Sequence, residues 1–190
     1  MSRRDRGANA APGRRELSLR LPPSERGRFH ALLQRGVTTR IPARRSALEL
    51  LTADLGLDPE YVRTRITTVF VDGRVVDALE SATLEPGSLL ALSAAMPGLV
   101  GATLRRGGPY AAMRAEITRP PVRGSRESAS ATCLVRVRLF NLLLDEVGPS
   151  LLARGILLPR GEALALLGDL APAPEAWPPG EDVELRVQFS

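Results

Sequence analysis

The stretch from Ile66 to Gly108, ITTVFVDGRVVDALESATLEPGSLLALSAAMPGLVGATLRRGG, constrains this chain more than any other. It predicts a strand over Thr67 to Val71, a reversal at Asp72-Gly73 and a short return through Val75 and Val76. A turn at Pro86-Gly87 follows, then a second strong strand over Leu89 to Leu92. Strands this apolar need a sheet to complete their hydrogen bonds and a helix face to bury their side chains, so the rest of the chain is read for both.

Upstream, Leu17, Leu19 and Leu21 alternate with Ser18 and Arg20, the period of a half-buried strand that Pro22-Pro23 ends. Ser24 can cap a helix carrying Phe29, Leu32 and Leu33 on one face, with Gly36 as a left-handed stop. Val37 to Ile41 is a second short strand. Beyond Pro42 a helix carries Leu48, Leu51 and Leu55 on one stripe and stops at Gly56. Asp58-Pro59-Glu60 has the order cap, first-turn proline, first-turn acid, and opens a brief helical turn. Leu48, Leu51, Leu55, Val69, Val71, Leu90 and Leu92 are therefore expected to share one core.

With VFVDGRVVD (69–77) and LEPGSLLALSAAMPG (84–98) as the matching segments, this order of elements resembles the ubiquitin-like β-grasp superfamily. It is closest to the small sulfur-carrier proteins of molybdopterin and thiamine synthesis, and the likeness covers residues 16 to 98. It implies an α+β fold, a protein partner, and a C-terminal Gly-Gly whose carboxylate becomes a thiocarboxylate. This chain departs at that point. Its glycine pair, Gly107-Gly108, follows Leu104-Arg105-Arg106 and has no free carboxylate, because the chain runs on to Ser190. LRRGG then has three readings: a turn that needs permissive backbone, a cleavage point exposing Gly108, or an anion site. In the last, adjacent amides with Arg105, Arg106 and Arg114 grip a phosphate or carboxylate.

Residues 1–14, rich in Arg, Gly, Ala and Pro, read as a disordered tail, and residues 15–108 as the β-grasp domain. Residues 109–132 read as a connecting helix and loop: Tyr110, Met113 and Ile117 share a helical side, and TRPPVRGSRESASA (118–131) loses all pattern. Residues 133–190 read as a smaller α+β extension packed on the first domain. Its strands are Leu134 to Phe140 and Val183 to Phe189, and Arg136 and Arg138 are expected to face Glu184 across an antiparallel pair. Between them a helix from Leu142 to Leu152 breaks at Gly148-Pro149, and a shorter one runs from Arg160 to Gly168. VRVRLF, helix, ILLP faintly repeats ELSLRLP, helix, VTTRIP. Trp177 is expected to cover a core edge.

All 26 basic residues are Arg, which reflects a GC-rich coding bias rather than a selected phosphate chemistry, and a net charge of +5 spread along the chain favours acidic partners only mildly. With 4% aromatics and no nucleic-acid-reading motif, base stacking is not expected, nor is a nucleic-acid partner. One cysteine, Cys133, excludes an intramolecular disulfide and thiolate-rich metal sites, and it is read as a buried inert thiol. His30, the single histidine, receives no role. The expected location is the cytoplasm, since no signal-peptide core or membrane-length apolar run occurs. No cofactor and no catalytic constellation are read. Two functions remain: a non-catalytic β-grasp protein acting through a protein partner, or an anionic-ligand binder or enzyme with its pocket at Arg105, Arg106, Gly107, Gly108, Tyr110 and Arg114 between the two halves.

Overall fold

Turn chemistry and capping set the element boundaries. The computed structural model describes residues 16–94, 98–108 and 131–190, and only the backbone of Val100. The expected N-terminal tail, the helix holding Tyr110, Met113 and Arg114, and the patternless loop after it lie outside these residues. Strand β1 spans Glu16–Leu21, and a tight helical stretch, Pro23–Phe29, leads into α1, His30–Arg35. Gly36, at φ 103°, turns the chain into β2, Val37–Pro42. Ser46 and Glu49 form a reciprocal capping box at α2, Ala47–Glu49, after which the helix widens to i→i+5 bonding over Leu50–Asp54. Asp58 caps α3, Pro59–Arg65, by accepting from the amides of Glu60 and Tyr61.

The reversal at Asp72-Gly73 has both residues at positive φ, 53° and 77°, as a tight hairpin turn requires. It joins β3, Thr68–Val71, to the short β4, Arg74–Val75. The Asp72 carboxylate also accepts from the amide of Leu89 at 2.8 Å, which ties the turn to β5, Leu89–Ser93. Helix α4, Gly98–Leu104, precedes the Arg-Gly stretch. Then come β6, Thr132–Phe140; α5, Leu143–Glu146; α6, Gly148–Arg154; β7, Ile156–Pro159; α7, Arg160–Leu167; and β8, Asp182–Phe189.

The result is an α+β fold on one mixed eight-stranded sheet, in the order β1-β8-β7-β2-β6-β5-β3-β4. β1–β8 and β5–β6 are parallel pairs and the others antiparallel. Residues from 133 onward are not laid against the outside of an earlier domain: β6 lies between β2 and β5, and β7 and β8 lie between β1 and β2. The expected pairing of Leu134–Phe140 with Val183–Phe189 is also corrected, because β7 and β2 stand between β8 and β6. Charge complementarity did not select that pairing. Arg136 and Arg138 both donate to the Arg35 carbonyl, at 3.1 and 2.9 Å, while Glu184 pairs with Arg186 on its own strand.

Strand alternation sorts the side chains. Val135, Val137 and Leu139 of β6 and Val183, Leu185 and Val187 of β8 enter a single core cluster, while their sequence neighbours take the opposite face of the sheet. The expected seven-residue core is found: Leu51, Leu55, Val69, Val71, Leu90 and Leu92 belong to the cluster and Leu48 packs against it. Trp177 does cover a core edge, donating to the Pro172 carbonyl at 3.1 Å under the Arg160 guanidinium.

The faint repeat becomes explicit in three dimensions. Leu32-Leu33-Gln34-Arg35-Gly36-Val37 matches Leu151-Leu152-Ala153-Arg154-Gly155-Ile156, and Ala47-Leu48-Glu49-Leu50-Leu51 matches Ala163-Leu164-Ala165-Leu166-Leu167. In both copies a helix ends at a positive-φ glycine, a short strand ends in proline and a helix follows. The two strands, β2 and β7, lie antiparallel side by side. The copies consequently clasp each other reciprocally: Arg35, before β2, pairs with Glu162 after β7, and Arg154, before β7, pairs with Asp54 after β2.

A candidate binding cleft at the strand seam

Between the two copies the sheet is held by one ladder pair, Thr38 with Leu157. Beyond it the strands part. The Thr39 hydroxyl, itself buried, donates to the Gly155 carbonyl at 2.8 Å, and the Arg154 side chain donates to the Arg40 carbonyl at 3.0 and 3.3 Å. Side chains thus take up carbonyls left open by the divergence, as buried backbone requires. The opening is a cleft of about 650 Å³, within the range of small-molecule sites.

Its floor and walls come from β2, the end of the widened helix, α6 and β8. The i→i+5 turn brings Asp54 into the wall, where its side chain is only 8% exposed. Arg45 Nε lies 3.1 Å and Arg154 Nη1 3.5 Å from its carboxylate, and Arg154 also donates to the Asp54 carbonyl at 3.2 Å. Such a buried acid is tolerable because it is paired from two sides. On the β8 wall Arg186 pairs with Glu184 at 3.1 Å. Its Nε lies 3.3 Å from a Glu16 carboxylate oxygen, yet the aim is too poor for a hydrogen bond and that buried N–H is left unbonded. Pro42 and Leu55 add apolar surface. Such a cleft can bind and orient a polar ligand.

The residues named from sequence lie elsewhere. Arg105, Arg106, Gly107 and Gly108 follow α4, away from the cleft lining, and Tyr110 and Arg114 lie outside the described residues. Arg106 is engaged by the chain itself. Its amide donates to the Thr67 carbonyl at 2.7 Å, and its guanidinium donates to the Val62 and Arg63 carbonyls near the end of α3, at 2.9 and 3.4 Å. Burial pulls its pKa below the ordinary arginine value, against the opposing pull of Asp77 and Glu80. Gly107, at φ 59°, donates to Asp77, and the Gly108 amide donates to the Arg105 carbonyl at 3.2 Å. The glycine pair therefore forms a tied turn.

Cys133 is buried, and desolvation raises its thiol pKa. His30 Nε2 lies 3.0 Å from Asp145 on the outside of the helical layer. A further cluster joins α3 to α5: Glu146 accepts from Tyr61 Oη at 2.7 Å and from Arg65 at 2.6 Å, which holds its carboxyl below the usual range. Among the described residues no His, Cys, Asp and Glu group could hold a metal ion, and no helix is long and apolar enough to cross a membrane. No protein-family model, curated protein or solved structure matches this chain.

The cleft residues were not singled out from sequence. The signal available for them was the repeated Leu-Leu-x-Arg-Gly motif, which marks Arg154 and Gly155 as a second copy of Arg35 and Gly36.

Proposed function

We propose that the chain is a non-catalytic binding protein built on a ubiquitin-like β-grasp unit and acting, uncut, through a protein partner. The β-grasp reading is supported by the neighbouring strands β2-β6-β5-β3-β4, whose pairs run antiparallel, parallel, antiparallel and antiparallel, with the helical segments 47–65 joining β2 to β3. In a β-grasp unit the first and last strands lie parallel at the centre of the sheet. On this reading β6 and β5 take those places, and the strand that ordinarily opens the unit comes from later in the chain. Sulfur-carrier chemistry at Gly108 is not part of this proposal, because the pair is a tied turn and the chain must continue to deliver β6.

The observation that carries the partner reading is the pair of large apolar side chains that β6 exposes. Leu134 and Phe140 are 40% and 37% exposed there, with Arg136 and Arg138 between them, which suits a partner surface that combines apolar and acidic groups. The test is affinity capture from the native host with intact-mass measurement, comparing the wild type with a Leu134→Asp, Phe140→Asp double variant. A stoichiometric partner held by the wild type and lost by the variant is expected. Since both positions are already solvent-facing, the variant should keep its thermal transition, and equal capture by both proteins would overturn the reading.

A second reading, a binder of small anionic molecules, is favoured by the cleft between the two copies. Its arginines, Arg40, Arg154 and Arg186, outnumber its acids, Asp54 and Glu184.

A further inference from the structure

Continuing the β2–β7 register from Thr38 opposite Leu157 sets Arg40 opposite Gly155, and continuing the β7–β8 register from Ile156 opposite Leu185 sets Gly155 opposite Arg186. One cross-strand row therefore reads Arg40, Gly155, Arg186, and all three line the cleft. The strands diverge at this level, so the two arginines flank, across a widened gap, a position that has no side chain. Gly155 cannot be exchanged for a larger residue without cost: at φ 117° a Cβ would sit 3.0 Å from Glu184 Oε1 and 3.3 Å from Arg186 Nε. The glycine keeps a notch open beside the Glu184 carboxylate and the Arg186 side chain, with Arg40 across the row.

The other copy shows what such a notch lacks. Gly36 occupies the equivalent corner, packed against Arg136 and Arg138 of β6 as Gly155 is packed against Glu184 and Arg186 of β8. At Gly36 the Arg138 Nε donates to the preceding carbonyl, Arg35 O, at 2.9 Å. At Gly155 the corresponding Arg186 Nε is buried without a hydrogen bond, although Glu16 stands near it. Buried N–H groups normally have acceptors, so an acceptor is missing at this corner. The acids of the cleft do not fill that need. Asp54 is paired with Arg45 and Arg154, and Glu184 with Arg186, while among the described residues the Arg40 guanidinium has no ion pair.

We propose that the Arg40-Gly155-Arg186 notch binds the anionic group, a carboxylate or a phosphate, of a small molecule whose body lies in the cleft along Pro42 and Leu55. Arginine suits both groups because its planar fork meets two oxygens at once. This rests on the second reading above and names the ligand chemistry and the residues for it.

The test is titration of the full-length protein with phenyl phosphate and, separately, with benzoate, followed by calorimetry and by backbone amide shifts. Saturable binding of at least one probe is expected, with the Gly155 amide among the shifted resonances; the tighter probe tells phosphate from carboxylate. Arg40→Ala removes an exposed side chain and should leave the thermal transition in place while weakening binding at least about tenfold, the loss of one charge-assisted contact. Arg20→Ala, an exposed arginine of β1 outside the cleft, should bind as wild type. Binding that Arg40→Ala leaves unchanged would overturn the notch while leaving a cleft-binding protein standing. Failure of both probes to saturate would overturn the notch and the second reading together.

Discussion

Cutting after Gly108 asks whether the chain works whole or as a released carrier, and the sheet gives a definite expectation. Of its strand pairs, only β3–β4 and β3–β5 lie wholly within residues 1–108; β1 pairs with β8 alone, and β2 with β6 and β7 alone. Side chains left in the fragment lose their cover: Leu17 and Leu21 against β8, Val37, Ile41, Leu90 and Leu92 against β6, and Leu33 against Gly148. All are now at most 7% exposed. Full exposure costs about 1.5–3 kcal/mol for each such side chain, so these together carry about 10–20 kcal/mol and about half that if each is half uncovered. None of this is offset by freed chain entropy, since these residues remain in the fragment. Even the lower figure matches the whole net stability of an ordinary domain, about 5–15 kcal/mol. A recombinant 1–108 fragment should therefore show no cooperative thermal transition by circular dichroism and collapsed amide dispersion by NMR, while the full chain shows both native signatures. A soluble, cooperatively melting 1–108 fragment, or a host preparation whose main species ends at Gly108, would refute the reasoning and revive the carrier.

Other outcomes follow from single groups. Val71→Asp places an unpaired charge in the cluster at a fully buried position, so it should lose more than about 2 kcal/mol in chemical denaturation; a melting temperature within a degree or two of wild type would contradict the core assignment. Glu146 is held below its ordinary value of 4.5, first by the Arg65 hydrogen bond and then by that from Tyr61. A carboxylate depressed in the folded state contributes stability above its unfolded value and loses it as pH falls through the folded one. Glu146→Gln should thus lower the melting temperature at pH 7, and the gap to wild type should shrink as pH falls below 4.5. Cys133, with its thiol pKa raised by burial, should react with a disulfide reagent at pH 8 at least about tenfold more slowly in the native protein than in denaturant; equal rates would show that it is accessible.

Much of the element order was legible because it depends on neighbours in the chain. The Asp72-Gly73 reversal, the Asp58-Pro59 helix start and the Gly36 and Gly56 stops each need only a few residues to be recognised, and each stands where it was expected. Pairing was not legible in the same way. Alternation in Leu134–Phe140 and Val183–Phe189 says which side chains enter the core but not which strand lies alongside, and a plausible complement of Arg136 and Arg138 to Glu184 misled. Those arginines gained more from the Arg35 carbonyl, brought to them by a helix a hundred residues earlier.

The cleft was hidden for a related reason. Its row of Arg40, Gly155 and Arg186 draws on β2, the corner before β7, and β8, which are far apart in sequence, and in a chain whose every basic residue is arginine no single arginine stands out. The glycine was the better clue. Gly155 follows Arg154 as Gly36 follows Arg35, and each takes a backbone conformation that side chains resist, so the second copy of the motif could have marked a corner held open in three dimensions. Around Gly36 that corner is occupied by Arg136 and Arg138, which bond to the chain itself. Around Gly155 the equivalent positions hold Glu184, paired along its own strand, and Arg186, whose buried Nε lies 3.3 Å from Glu16 without a hydrogen bond; from one duplicated motif, therefore, only the second corner retains a buried arginine N–H without a hydrogen bond.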